Sequence, residues 1–191
     1  MSLFLHRSGI LKPAGGGATT ETQSIAANGD DGYDVAGTFN FFGATSLFAG
    51  FSSSFPFTAG LRFVGFSSSI KGATVSSATL TIQISGAGVS PDLDVFGEDA
   101  DSAAGWSSSR LPSSITKTTN STNITPTAAG SLDIDVTSIV QEIVDRGGYD
   151  GTKGEIAFGI FDNVGAGENL FEADAFETSG GTPAELEVTW S

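Results

Sequence analysis

From residue 25 onward, apolar and polar residues alternate in short stretches separated by clusters of Gly, Ser and Asn. The clearest stretch is 77–85, where Ala78, Leu80, Ile82 and Ile84 alternate with Thr79, Thr81 and Gln83. A period of two sends every second side chain to one face, so this pattern predicts a half-buried strand. Residues 131–136 repeat it, with Leu132, Ile134 and Val136 set against Asp133 and Asp135. At the end of the chain Leu186, Val188 and Trp190 alternate with Glu185, Glu187 and Thr189. In 154–161 both sets are apolar or small, which predicts a strand covered on both faces. Weaker strand patterns fall at 38–42, 46–51, 61–66, 93–98 and 170–176.

One stretch, 138–146, has helical spacing. Ile139, Val140, Ile143 and Val144 make a single apolar stripe. Thr137 is placed to cap its start and Gly147 to end it in a left-handed conformation. A single short helix among many strands predicts an all-β fold, a jelly-roll β-sandwich with one short crossover helix at about 138–146.

Residues 1–24 break the alternation and predict an extended N-terminal arm on the Gly15–Gly17 hinge, ahead of a sandwich domain at 25–191. Arg7 and Lys12 interrupt its apolar stretch, so it does not read as a secretion signal. Leu3, Phe4, Leu5, Ile10 and Leu11 need a surface to dock on, and together with Arg7 they are candidate contacts to another subunit or protein. The Phe-rich stretch 39–66 adds Phe51, Phe55 and Phe57, which flank Ser52–Ser54 and Pro56 in an expected loop.

Charge narrows the choice of partner. The chain has 191 residues and a net charge of −14, with 22 acidic and 8 basic residues. Residues 1–91 hold 4 of each, so the surplus lies wholly in 92–191. This balance repels phosphate backbones and argues against nucleic acid. No apolar run is long enough for a membrane helix. Without cysteine there is no thiolate metal site, and His6, the sole histidine, lies in the arm, away from any rigid triad. The residues therefore point away from an enzyme and call for no organic cofactor. Calcium needs only loop oxygens. Two acidic clusters qualify, Asp30, Asp31 and Asp34, and Glu98, Asp99 and Asp101; the latter three are the candidate ligands, and Asx-turn chemistry explains the acids of either cluster without a metal. Trp106, in a Ser/Gly-rich loop, is the one candidate platform for a glycan.

Three segments resemble a known family. LRFVGFSSSIKGATVSSATLTIQ (61–83), VFGEDADSAAGW (95–106) and LDIDVTSIVQEIVDRGGYDGTKGEIAFGI (132–160) are similar to a jelly-roll β-sandwich family, akin to DNRLRE domains and carbohydrate-binding modules. That family is found in tailed-phage virion proteins and bacterial extracellular proteins. Tyr149 stands where its pattern has Trp. The resemblance implies a non-enzymatic bacteriophage structural protein made in the host cytoplasm and located on the virion capsid surface. In that role it would be a capsid decoration (cement) protein, a homotrimer whose arm holds it to the major capsid protein or to a neighbouring subunit. A head-fibre or tail attachment protein, or a free-standing carbohydrate-binding or adhesive module, is the alternative.

Overall fold

The computed structural model describes residues 17–87, 91–165 and 167–191. Twelve strands and one α-helix follow one another as β1 (Thr19–Ser24), β2 (Asp31–Val35), β3 (Phe39–Phe41), β4 (Ser46–Ser52), β5 (Phe55–Phe63), β6 (Val75–Ala87), β7 (Leu93–Glu98), β8 (Lys117–Ile124), β9 (Gly130–Asp135), α1 (Thr137–Val144), β10 (Ile156–Asp162), β11 (Phe171–Asp174) and β12 (Glu185–Trp190). All pairings between them are antiparallel. The fold is the expected all-β jelly-roll-like sandwich, curled from one continuous ladder.

β6 organises the first layer. β9 pairs along one edge of it, and β12 and then β11 pair along the other. β1 extends this layer on β12, and β4 extends it on β11. At Gly50 the chain of β4 turns out of the first layer into the second, where residues 50–52 pair with β5. Gly50 has φ +117°, and a Cβ there would stand 2.3 Å from the Asn169 carbonyl oxygen, so only glycine fits this corner. β2, β5, β10, β7 and β8 make the second layer.

The alternating residues named above fill the space between the layers. Leu80, Ile82, Ile134, Leu186, Val188, Leu61, Phe63 and Phe158 are all 1% exposed or less. The helix lays Ile139 and Ile143 on Gly97 of β7, where a Cβ would come within 2.6 Å of Ile139 Cγ2. Both faces of β10 are buried, as its sequence predicts. The second cover is residues 103–115, whose Ala103, Trp106 and Ile115 pack on Ala157.

Four details depart from the sequence reading. Residues 19–24, assigned to the arm, form β1 and pair along their whole length with β12. The loop expected between Phe51 and Phe57 is a tight hairpin, turned by Ser53 and Ser54 at φ +52° and +72°. The helix starts at Thr137, whose hydroxyl accepts a hydrogen bond from Ala78 N–H instead of capping its own helix. Gly147 is not left-handed; the helix ends at Asp145, whose N–H reaches the carbonyls of Gln141 and Ile143.

Candidate interaction surface

The acidic clusters resolve into internal ties. Asp30 pairs with Arg62, which also donates to Glu155 Oε1 at 2.6 Å and to the Ala103 carbonyl at 2.6 Å. Asp34, fully buried, accepts from Gly37 N–H at 3.0 Å and from Ser113 N–H at 2.8 Å. Asp31 accepts from Phe176 N–H at 2.7 Å, while its other oxygen is buried without a partner. Burial, followed by the nearby Glu177 and Asp30 charges, raises its pKa to about 6.

The three candidate calcium ligands are likewise paired, and not around a common point. Glu98 bonds Arg110, whereas Asp99 and Asp101 both bond Arg146 just beyond α1. Among the described residues no three acidic or histidine side chains gather as a metal cage would require.

Trp106 is 5% exposed and offers no open ring face. Its Nε1–H donates to the Asp30 carbonyl at 3.2 Å, and the Arg110 guanidinium lies 4.2 Å from the ring centre. It plugs the second layer instead of presenting a platform for a sugar. A groove beside α1, lined by Asp99, Gln141, Glu142 and Arg146 among others, is also internally committed. Glu142 accepts from the Thr119 and Asn120 N–H groups; burial alone would raise its pKa, and these bonds bring it below the ordinary glutamate range. Gln141 bridges Val75 N–H and the Ala73 carbonyl.

The far end of the sandwich is different. Tyr33 stacks on Phe41 with ring centres 4.6 Å apart, and meets Phe48 at 5.2 Å and Phe57 at 6.1 Å. Phe48 alternates with the buried Leu47 and Ala49 on β4; it and Phe57 are half-buried and pack against the main core, of which Tyr33 is a buried member, so these rings continue the core towards this end of the sandwich. Phe41 is 43% exposed and Phe55, beyond Phe57 on β5, is 51% exposed. Phe176, 38% exposed, is joined to β2 through its bond to Asp31. Acids border this surface. Glu172 sits opposite Phe48 in the ladder and accepts from Ser46 Oγ at 2.8 Å. Glu168 accepts from Ser52 Oγ at 2.6 Å and from Ser53 N–H at 2.9 Å, in the turn that precedes Phe55.

Of the predicted contact residues, Phe55 is exposed here, Phe57 belongs to the ring cluster, and Phe51 is half-buried with its N–H and carbonyl bonded to Asn169. Leu3, Phe4, Leu5, Arg7, Ile10 and Leu11 lie outside the described residues. The sequence reading missed Phe176 and the acidic border, and gave Phe41 and Phe48 no site role. No protein-family model matches the chain, and no curated protein matches it.

Proposed function

We propose that this is a non-enzymatic structural protein of a bacteriophage virion, a capsid decoration protein held to the shell or to neighbouring subunits by contact surfaces. The observation that carries the reading is the pair of exposed rings, Phe41 and Phe55, at the end of the sandwich where Phe48 and Phe57 are only half-buried. Large apolar rings left open to water on a rigid β framework are the mark of a surface that another protein covers. The resemblance of residues 61–83, 95–106 and 132–160 to jelly-roll modules of tailed-phage virions supplies the setting. The acidic outward positions of β9 and β12 suit a solvent-facing side, and the exposed rings suit a protein-facing one. A homotrimer on the major capsid protein agrees with this polarity.

Gradient-purified particles from cells that carry the gene test the proposal. The protein is expected in a fixed, high copy number on the heads; recovery only as free protein or in the cell envelope overturns it.

A further inference from the structure

The aromatic surface and its acidic border have a counterpart in the sequence. The chain has eight Lys and Arg residues, and the six that the structure describes are all placed elsewhere. Arg62, Arg110, Arg146 and Lys153 pair with acids of the loops and of β7. Lys117 lies 3.4 Å from the Phe161 ring centre, and Lys71 lies against Gly151. Glu168 and Glu172 thus border the rings with no cationic partner among the described residues. The remaining bases, Arg7 and Lys12, occur in residues 1–16, where they are interspersed with Leu3, Phe4, Leu5, Ile10 and Leu11 and with no acid. Apolar rings edged by carboxylates match a segment of apolar residues punctuated by bases, in both hydrophobicity and charge.

Strand direction decides which copy supplies that segment. Thr19 pairs with Trp190, and the chain enters β1 at the end of the sandwich where Trp190, Val75 and Ser191 lie. Phe55, Ser52 and the turn between them lie at the opposite end, beyond Leu61 and Ala59 on β5. The described chain therefore begins, at Gly17, at the end of the sandwich away from the rings. To reach the rings of its own body the segment has to reverse and run back the length of the sandwich. From a second copy placed end to end it arrives without reversal.

We propose that the surface formed by Phe41, Phe48, Phe55 and their acidic border is the receptor for residues 3–12 of a second copy of this chain. This rests on the reading of the protein as an assembly module and names the contact that assembles it. The contact is heterologous, one end of a subunit on the opposite end of the next, and such a contact closes into a ring when the rotation per step allows.

The test uses the full chain with charges exchanged on the two sides of the contact, its mass read by light scattering. The wild type is expected to be oligomeric. The variants Arg7→Glu/Lys12→Glu and Glu168→Lys/Glu172→Lys are each expected to associate at least tenfold more weakly, with unchanged circular dichroism. An equal mixture of the two is expected to regain oligomers, because each then offers the charge that the other lacks. A monomeric wild type overturns the inference, whether its own segment or a different protein covers the rings. So does a variant that keeps the wild-type mass, or a mixture that stays monomeric. None of these readings involves a virion. Oligomers that fail to appear on particles would count against the decoration role and leave this contact standing.

Discussion

Gly60 lies against the indole of Trp106 so closely that a Cβ on it would stand 2.7 Å from Cε2, with Pro112 Cγ also at 2.7 Å. The contact explains two residues at once: Gly60 keeps the second layer thin where the ring crosses it, and Trp106 is buried as a cover. The Gly60→Ala variant should lose ~1–3 kcal/mol through overpacking. Trp106→Ala should lose ~3–5 kcal/mol through the cavity it leaves. Urea unfolding at neutral pH checks both. If Trp106→Ala unfolds at the wild-type midpoint, the ring is not a structural cover.

The buried carboxyl of Asp31 gives stability a particular pH dependence. Its folded pKa is raised, chiefly by burial, from 3.8 to about 6. The fold therefore holds this proton more tightly than the unfolded chain does. Its contribution is greatest when the group is protonated, and is lost as pH rises from about 4 through about 6. A rise of about two units corresponds to ~3 kcal/mol. The Asp31→Asn variant should melt above the wild type at pH 7.5 and level with it at pH 4. Parallel melting curves across that range would show that Asp31 is not the titrating group.

The end of the first strand can be located by truncation. Removing residues 2–16 takes away the proposed contact between copies but no strand, so the body should still unfold in one transition, at the melting temperature of the Arg7→Glu/Lys12→Glu variant. Removing residues 2–24 should lower it and promote aggregation. That deletion strips the six-residue ladder on β12 together with the bonds from Ser67 N–H to Glu21 and from Gln23 to the Gly65 carbonyl, and it bares an apolar-backed edge. Equal melting of both truncations would mean that β1 contributes nothing.

Calcium should have no grip on the end of β7 and the loop that follows it. Their three carboxylates are taken by Arg110 and Arg146, and freeing them costs those pairs. Neither calcium nor a chelator is expected to move the melting temperature. Stabilisation that rises with calcium concentration and vanishes in Glu98→Gln would place the ion there after all.

Strands with an apolar face were legible in the sequence because water enforces their period: β6, β7, β10 and β12 lie where the alternation puts them. The strands of composition TTETQS, DGYDV and KTTNSTNI were not, since backbone pairing with a neighbour, and not an apolar stripe, holds them in place. Asp31 and Asp34 looked like turn residues, yet both are buried in β2, each bonded to a backbone N–H far along the chain. The candidate surface was half legible. Phe55 and Phe57 stood out by their density of rings and their Ser and Pro neighbours. Glu172 reaches Phe48, and bonds Ser46 at a separation of 126 positions, only because β11 pairs with β4, a distance over which no local pattern carries information.

The antiparallel pairing of β1 with β12 also sets how the body withstands being pulled. Its inter-strand hydrogen bonds run perpendicular to the strands. A load transmitted through Gly17, with the body held at the opposite end near Phe55, acts along the axis of β1. The six paired positions from Thr19–Trp190 to Ser24–Glu185 then bear it together in shear. Peeled sideways from Thr19, the same ladder would yield one pair at a time. A subunit tethered by its first residues and gripped by its far end is thus loaded in the direction in which its edge strand is strongest.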